Sequence, residues 1–410
     1  MLEFSLGNIF LVFAWTVAVL WLAALFWTHY CLGKQQILPP AKEELPQTAD
    51  QPFVSILLPA RNEEKRILKT CVQSLLAQDY RNFEIIALND RSTDGTGEVL
   101  GELAQKNVQK LRAVEGIELP EDWLGKPFAL QQCLEKSNGE WILATDADII
   151  FQPTGLRTAI NYAVENNLDS LNLIPLSILV SFWERTFMPV FGWFCLLSMP
   201  PQRVNDPGRD ESLGVGNFFL IKREALEKIG EFEVVKNEVA EDLKLAEILK
   251  RKRFRIRTEY APDLIQTRMY SSLSEIWEGF TKNFFAGSKF SLKKAISGAF
   301  FIFLYGALPP FLALVCFALW LSTQKIIFLH SFIPLFLIYI LQILIFIKIN
   351  RKWRGFPLYA VFAPLGLGLF SAILLNSTLK IISGRGVYWK GRAIYERGGI
   401  KPPKQVFENK

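Results

Sequence analysis

Four long apolar runs constrain this chain more than any other feature of its sequence. They cover residues 4–27, 299–321, 326–347 and 356–379. An uncharged run of about 20 residues is long enough to cross the hydrocarbon core of a bilayer as a helix. The first run is too long for the apolar region of a cleaved signal peptide, and Glu3 precedes it where such a peptide carries basic residues. We therefore predict an uncleaved N-terminal transmembrane anchor, residues 1–33, in a multi-pass membrane protein.

Basic side chains beside these runs predict which side of the membrane each end faces. They cluster before the second run and after the third: Lys289, Lys293, Lys294, Lys348, Arg351, Lys352 and Arg354. Because basic residues are in excess on cytoplasmic flanks, residues 34–294 are predicted to lie in the cytoplasm, at the inner cell membrane. A simple count of crossings then puts the basic tail, residues 385–410, outside. Either the rule fails there or one run does not cross, and Pro309-Pro310, or Pro364 with Gly366 and Gly368, would mark a broken or re-entrant segment.

The composition excludes several classes of protein. The five cysteines have no paired spacing, which argues against a disulfide framework and against a zinc site. The two histidines, His29 and His330, lie beside or within apolar runs, so acid–base chemistry must fall to carboxylates. The net charge of +6 lies largely near the apolar runs, which favours a lipid bilayer as the partner. No motif typical of nucleic-acid binding is present, and no nucleic-acid partner is predicted.

Between the first two apolar runs, short apolar segments alternate with amphipathic ones. Strands are predicted at residues 53–59, 83–88, 141–145 and 218–221, and helices at 63–77, 96–105 and 127–137. This alternation is typical of an α/β fold with a Rossmann-like, mostly parallel sheet. Ligands bind such sheets beyond the carboxyl ends of the strands. Asn89-Asp90 and Asp146-Ala147-Asp148 follow two of those ends.

Two acidic pairs point to chemistry. Asp146 and Asp148 interrupt apolar sequence, where carboxylates are costly unless a cation neutralises them. Mg²⁺ or Mn²⁺ with a bound diphosphate would do so, because hard cations take oxygen ligands; a solvated loop or a helix cap is the alternative. Glu241 and Asp242 open a helical pattern, so they either cap that helix or supply a general base.

Two further strings are weaker candidates. Lys126, in Trp123-Leu-Gly-Lys126, offers a phosphate a point charge, although most such lysines face solvent. The string Gly214-Val-Gly216-Asn217 lets a ligand approach the backbone closely, or is simply a tight turn.

Taken in order, these motifs resemble those of the family 2 glycosyltransferases, which have the GT-A fold. Pro59-Ala-Arg-Asn-Glu63 resembles the first-strand motif of that family. Asn89-Asp-Arg-Ser-Thr-Asp-Gly-Thr96 is similar to its Asp-Asp-x-Ser-x-Asp-Gly-Thr turn, with Asn in the first place. Asp146-Ala147-Asp148 resembles the metal motif, and Glu241-Asp242 resembles the base motif. The flanking strings Trp123-x-Gly-Lys126, Val204-Asn-Asp-Pro207 and Trp389-Lys-Gly-Arg392 look closest to the hopanoid-associated and carotenoid glycosyltransferases.

The resemblance implies an inverting hexosyltransferase with a nucleotide-sugar donor, for which we expect UDP, and a divalent cation, Mn²⁺ or Mg²⁺. It also implies roles for residues in three groups. These are Arg61, Glu63, Asp90, Lys126 and Asp146 for donor binding, Asp148 with Asp146 for the metal, and Asp242 with Glu241 for deprotonation of the acceptor.

The acceptor side is predicted from an aromatic segment, residues 175–201, between the metal and base motifs. We expect an interfacial helix there that admits a lipid hydroxyl past Phe187 and Phe191, with Gly216 and Asn217 nearby; a buried core is the alternative. The string Gln266-Thr-Arg-Met-Tyr270 departs from the Gln-x-x-Arg-Trp of processive synthases in the family, which favours a single transfer.

The interpretation divides the chain into four parts. They are the anchor (1–33), a GT-A catalytic domain (34–294), C-terminal transmembrane helices (295–384) and the basic tail (385–410). The predicted acceptor is a hopanoid, a carotenoid or a glycolipid. Two rival functions remain, a processive polysaccharide synthase and a non-catalytic membrane scaffold that keeps the fold.

Overall fold

The computed structural model describes residues 6–40, 51–287, 291–383, 387–389 and 392–395. Lys289 and most of the predicted basic tail therefore lie outside the described residues. Along the described part of the chain, one long helix comes first, a sheet domain follows, and a group of apolar helices comes last.

The main sheet consists of seven strands. They are β1 (Val54–Ala60), β2 (Phe83–Asn89), β3 (Leu111–Glu115), β4 (Trp141–Ala144), β6 (Ser170–Ile174), β8 (Phe219–Lys222) and β9 (Ile256–Tyr260). Their order is β3-β2-β1-β4-β8-β6-β9. Neighbours are parallel except at β8, which is antiparallel to both β4 and β6. A second sheet joins β5 (Ile149–Phe151), β7 (Leu176–Ser177) and β10 (Ile265–Thr267), with β10 in the middle.

Strand β1 shows how the sequence directs this arrangement. It is almost wholly buried, as expected for a strand that is covered on both faces and reads as a continuous apolar run. It carries a proline, which cannot donate to a ladder. Only Val54 to Leu57 pair with β4, so Pro59 lies beyond that pairing and no ladder bond is lost there.

The described sheet domain contains nine α-helices, which lie between its strands or after the last of them. They are α2 (Leu68–Leu76), α3 (Thr96–Lys106), α4 (Gly125–Glu135), α5 (Gly155–Glu165), α6 (Phe182–Ser198), α7 (Pro201–Val204), α8 (Arg223–Ile229), α9 (Glu241–Arg251) and α10 (Leu273–Gly287). Helices α2, α3 and α5 share one apolar core with one face of the sheet. Helices α4, α8 and α9 share another core with the opposite face. The predicted α/β fold class is confirmed. The helix predicted at 63–77 begins only at Leu68, because the preceding residues form a loop at the sheet edge.

The remaining helices are long and apolar. They are α1 (Leu6–Lys34), α11 (Leu292–Ile302), α12 (Leu308–Thr323), α13 (Ile326–Lys352) and α14 (Ala363–Ile382). A π-helical turn, Phe303–Ala307, joins α11 to α12, and a 3-10 helix, Pro357–Phe362, precedes α14. Four segments are long and apolar enough to cross a membrane: Gly7–Lys34, Leu292–Thr323, Ile326–Lys352 and Pro357–Ile382. Two short strands, β11 (Val387–Trp389) and β12 (Arg392–Tyr395), pair after α14.

The long helices are joined to the sheet domain at one end. The indole N–H of Trp353, just after α13, donates to the side chain of Gln35, just after α1 (2.8 Å). The next residue, Arg354, forms a bidentate ion pair with Asp263 in the loop between β9 and β10 (2.5 and 2.8 Å). The C-terminal ends of α1 and α13 therefore lie at the sheet domain.

Candidate active site

Three segments meet beyond the carboxyl end of β4. The first is Asp146 itself, and the second is a loop that contains Gly216 and Asn217. Thr145 donates to the Asn217 carbonyl (2.7 Å), and the Asn217 amide donates to the Asp146 carboxylate (3.3 Å). The third is the first turn of α9, where Asp242 accepts from the Gly216 N–H (2.7 Å). The metal-motif aspartate and the predicted base thus share one supporting loop.

Lys126, in the first turn of α4, links these acids. Its ammonium lies 2.7 Å from the Asp146 carboxylate and 2.6 Å from that of Glu241, a side chain that is almost fully buried. Burial opposes the charge of Lys126, but Asp146, Glu241 and Asp242 outweigh it and raise the pKa of Lys126 well above its usual value. Lys126 therefore stays charged and bridges the donor-side and base-side carboxylates.

Asp242 has the environment of a general base. Its two oxygens accept from the backbone N–H groups of Gly216 (2.7 Å) and Leu243 (2.8 Å), which fixes the carboxylate. Burial and the neighbouring Glu241 raise its pKa to about 6, against the opposing charge of Lys126 and these backbone donors. A base with a pKa near the working pH takes a proton readily and is still largely ionised.

Two glycines permit this packing. A Cβ at Gly214 would stand 1.9 Å from the backbone oxygen of Asp242. A Cβ at Gly216 would stand 2.9 Å from the Lys126 ammonium and 3.1 Å from an Asp242 carboxylate oxygen. In the described structure these glycines admit protein groups of the acidic cluster, and the predicted acceptor role of Gly216 and Asn217 stays a prediction.

A second polar cluster lies at the ends of β1 and β2. The Arg61 guanidinium donates to the backbone carbonyls of Asp90 and Arg91, both at 2.7 Å. The Arg91 guanidinium forms an ion pair with the buried Asp90 carboxylate. The backbone N–H of Glu63, another buried carboxylate, donates to Thr96 (2.8 Å). Arg61 and Asp90, two of the residues expected to bind the donor, are thus in contact, and Glu63 lies two residues beyond Arg61 in the same loop.

The structure also accounts for the asparagine in the second motif. The side-chain oxygen of Asn89 accepts from the Ser92 N–H (3.2 Å), as a carboxylate would at that position. Its amide nitrogen donates to Glu115 (2.7 Å), which an aspartate could not do. Compared with the aspartate of the family motif, Asn89 therefore lacks a negative charge but gains a contact with Glu115 at the end of β3.

Asp148 lies two residues beyond Asp146, just before β5, and is half-buried. The Thr267 hydroxyl of β10 donates to its backbone carbonyl (3.2 Å). Burial, and then the Asp148 charge, raise the pKa of the Tyr270 phenol. Among the described residues, no three His, Cys, Asp or Glu side chains are grouped to hold a metal ion. A cation here would share its coordination with donor phosphates, which is usual for Mg²⁺.

The predicted interfacial segment contains α6, and one expectation about it is wrong. Phe187 is 0% exposed, so it does not present a surface to an acceptor. Its ring packs on Phe280 of α10 (4.9 Å between centroids) and Phe370 of α14 (6.2 Å), because α6 is covered by both helices. Phe191 is partly exposed and also contacts Phe280 (4.5 Å), so its acceptor role stays a prediction.

Arg268, in the altered Gln266–Tyr270 string, has a partner within the protein. Its guanidinium donates twice to the buried Glu184 carboxylate of α6 (3.0 and 3.2 Å). Glu184 also accepts from the Ser181 N–H (2.6 Å) in the capping box that begins α6. Arg268 therefore holds α6 against β10.

Lys282 of α10 was not predicted from the sequence. Burial lowers its pKa, while the charges of Glu241, Asp146 and Asp242 act on it in the opposite direction. Lys282 is thus coupled electrostatically to the acidic cluster. The available signal was a lysine within an amphipathic helix that begins directly after the Gln266–Tyr270 string.

Comparisons with known proteins point to one family of enzymes. The profile described as "Glycosyl transferase family 2" matches residues 55–230, which contain β1, the loop after β2 and the metal motif. The 4,4'-diaponeurosporenoate glycosyltransferase of Staphylococcus aureus is 26% identical over 346 residues, covering 83% of this chain and 87% of that protein.

Two solved structures are also similar. One is the mannosyltransferase PcManGT of Pyrobaculum calidifontis, in complex with GDP-Man and Mn²⁺ (17% identity, 90% of this chain and 98% of that one, TM-score 0.47). The other is TarS 1–349 of S. aureus, in complex with UDP. It is 18% identical, the match covers 56% of this chain and 64% of that one, and the TM-score is 0.39.

The GT-A-like sheet and the acidic cluster at its carboxyl edge define a glycosyltransferase. Over residues 55–230 the chain matches glycosyltransferase family 2, an inverting class of enzymes.

Proposed function

We propose that this glycosyltransferase moves a sugar from a nucleotide-sugar donor, a UDP-sugar, to the hydroxyl of a membrane lipid of hopanoid, carotenoid or glycolipid type. The observation that carries the proposal is Asp242, a fixed carboxylate with a pKa of about 6, joined through Glu241 and Lys126 to the metal motif. The named substrate of the S. aureus relative, a carotenoid, supports a lipid acceptor.

In the proposed reaction, Asp242 takes the proton of the acceptor hydroxyl as its oxygen attacks the anomeric carbon of the donor sugar. The new bond forms on the face opposite the diphosphate, and the bond from the anomeric carbon to the diphosphate oxygen breaks. The configuration is thereby inverted, and the nucleoside diphosphate leaves. Glu63 and Asp90 contact the nucleoside in this proposal, and Arg61 lies near the donor.

The acidic cluster fits a divalent cation at Asp148 and Asp146. Asp146, Glu241 and Asp242 supply three carboxylates against the ammonium groups of Lys126 and Lys282, so negative charge remains in excess. A bound Mn²⁺ or Mg²⁺ would neutralise the leaving diphosphate. Lys126, which already contacts Asp146, would meet the same phosphates as a point charge.

We also propose that the protein lies in the inner membrane with residues 34–294 in the cytoplasm, where the basic flanks of the apolar runs would place them. The division into anchor, catalytic domain, membrane helices and tail, at residues 33, 294 and 384, belongs to the same proposal.

The experiment that tests this function uses membranes that contain the full-length protein. They are incubated with labelled UDP-glucose, UDP-GlcNAc or GDP-mannose, with Mn²⁺ or with EDTA, and the lipid extract is analysed. Labelled lipid that depends on the protein, on one donor and on the cation is the expected result. No labelled lipid with any donor would overturn the proposal.

The same assay separates the rivals. A processive synthase would give a labelled polymer of increasing length; the use of Arg268 to hold Glu184 favours a single transfer instead. A scaffold would tolerate Asp148→Ala and Asp242→Asn without loss of its cellular role.

The acceptor side is tested at Phe191. Phe191→Ser should reduce transfer to lipid while donor hydrolysis is kept, and equal loss of both would contradict an acceptor role.

A further inference from the structure

The fourth apolar segment, Pro357–Ile382, is long enough to cross a bilayer, but its contacts trace a different path. It consists of the 3-10 helix and α14, and it begins next to Arg354, which is paired with Asp263 of the sheet domain. The chain therefore enters this segment from the side of the sheet domain.

The first half of the segment runs away from the sheet domain, alongside α13. Gly355 turns back on α13 by donating to the Asn350 carbonyl (2.7 Å). Six residues later, the Val361 carbonyl accepts from the Tyr339 hydroxyl (3.0 Å). Tyr339 lies 13 residues before the end of α13 at Lys352, which is about 20 Å of helix at 1.5 Å per residue. The 3-10 helix thus runs alongside α13 towards Tyr339, and the ring of its last residue, Phe362, packs on Phe182 of α6 (4.9 Å between centroids).

The second half returns, alongside α11. Leu367 packs on Gly306, 14 residues beyond the start of α11 at Leu292, or about 21 Å along the helix. One turn later, the Ser371 hydroxyl donates to the Ala299 carbonyl (2.7 Å). Ser377 then donates to the backbone carbonyl of Thr281 in α10 (2.5 Å). These contacts step backwards along the chain, towards the end of α11 that adjoins α10.

Thr281 fixes which side this return reaches. Its side chain also accepts from the Asn376 amide (2.9 Å). The residue before it, Phe280, packs on Tyr270 (5.2 Å between ring centroids), which lies three residues after the end of β10. The C-terminal part of α14 therefore lies at the sheet domain, at the same end of the long helices as Arg354.

We propose that residues 353–383 form a re-entrant limb, which enters the bilayer from the side of the sheet domain and returns to it. The described part of the chain then crosses the membrane three times, with α1, with α11 and α12 together, and with α13. Residues 353 and 383 lie on the same side as the catalytic domain. This topology is independent of the proposed reaction.

The limb meets the physical requirements of such a path. Non-helical backbone at membrane depth is tolerated where protein covers it and its polar groups are satisfied. Pro357 and Pro364 have no N–H to satisfy, and Tyr339 satisfies the Val361 carbonyl. Leu358, 86% exposed, offers an apolar surface to lipid. Lys380, in the last turn, then lies on the side of the other basic flanks, which removes the conflict that a fourth crossing creates.

The limb is tested by labelling single cysteines in a full-length variant whose five native cysteines are replaced by serine or alanine. Three exposed positions are compared, Glu118 in the sheet domain, Gln324 between α12 and α13, and Ser383 after α14. A membrane-impermeant maleimide is applied to intact cells and to opened membranes. We expect Ser383→Cys to follow Glu118→Cys, and Gln324→Cys to show the opposite pattern. Labelling of Ser383→Cys together with Gln324→Cys would overturn the proposal.

Immersion depth gives a second readout that does not depend on sidedness. Nitroxide labels at Phe362, Phe370 and Leu379 are compared for their exposure to oxygen, which partitions into the bilayer, and to a polar quencher. The limb predicts the deepest label at Phe362 and steadily shallower labels towards Leu379. A crossing helix would be deepest near Phe370, and that profile would also overturn the proposal.

Discussion

Two polar clusters stand at the carboxyl edge of one sheet and are held in different ways. Around Arg61 and Asp90, the contacts run mainly between side chains and backbone groups of two adjacent loops. Around Lys126, the contacts join charged side chains from α4, the end of β4 and α9. The first cluster keeps its shape through the backbone, whereas the second keeps it through charges that a ligand can redistribute.

This difference suggests a division of labour. Backbone-held groups suit the recognition of a nucleoside, whose position does not change during transfer. Charged groups suit the reacting end of the donor, where negative charge develops on the leaving group. Substitutions in the first cluster should therefore weaken donor binding, and substitutions in the second should slow the chemical step.

The largest effect is expected at Asp242. We expect Asp242→Asn to reduce the kcat of transfer by about 100- to 10,000-fold, the usual contribution of a general base, with donor binding unchanged. Transfer to lipid and donor binding are measured on the same membranes. Glu247→Gln is the matched control, because Glu247 lies on the same helix and pairs with Arg251 on its outer face. Transfer by Asp242→Asn within a few-fold of the unchanged enzyme would remove the base role and, with it, the distinction between the clusters.

The parts of the molecule that sequence predicts are those whose determinants are local. Strands β1, β2 and β4 are short apolar runs followed by polar turns, so their positions and the acids at their ends could be read from neighbouring residues. The bridge from Lys126 to Glu241 joins residues 115 positions apart. Nothing near either residue indicates the other, and only the resemblance to a family brought both motifs into one site.

Local sequence patterns also do not predict two other features of the structure. Phe187 lies in an aromatic helix that suits an interface as well as a core, and its burial depends on Phe280 and Phe370 from distant helices. The path of α14 likewise depends on contacts with residues that are distant in the sequence. Its length and hydropathy are those of a crossing helix, while its direction depends on contacts with Ala299 and Thr281.

The second prediction sharpens the role of charge in the cluster around Lys126. Lys126 lowers the pKa of Asp242 against burial and Glu241, so Lys126→Met should raise that pKa above about 6. Since the base acts only when deprotonated, the acid limb of the pH–kcat profile should shift to higher pH. Transfer at neutral pH should fall by roughly 10- to 100-fold, the weight of a charged hydrogen bond.

A pH–rate profile of lipid transfer, recorded beside the exposed Lys136→Met as control, checks this expectation. An unshifted acid limb, or one shifted to lower pH, would show that Lys126 does not act on the base. Loss of donor affinity with an unchanged profile would leave Lys126 only its proposed role at the donor phosphates.

The third prediction concerns the backbone-held cluster. We expect Arg61→Gln to raise the donor KM by about tenfold, the weight of a charged hydrogen bond to the carbonyls of Asp90 and Arg91. The kcat should change little, because binding is lost equally in the ground state and the transition state. The exposed Arg81→Gln is the control. A fall in kcat at saturating donor, with KM unchanged, would contradict the division between the clusters.

The smallest effect is expected at Gly216. An alanine methyl would stand 2.9 Å from the Lys126 ammonium, but that ammonium ends a flexible side chain and can move aside. Gly216→Ala should therefore reduce kcat by roughly threefold to tenfold, below the about 100-fold that a 1 Å misplacement of reacting groups can cause. Gly101→Ala, at a helical position with open space around it, controls for the loss of a glycine. If Gly216→Ala reduced kcat as much as Asp242→Asn, the cluster around Lys126 would be as rigid as the cluster around Arg61. Its charged side chains would then not be able to shift to accommodate an added methyl group.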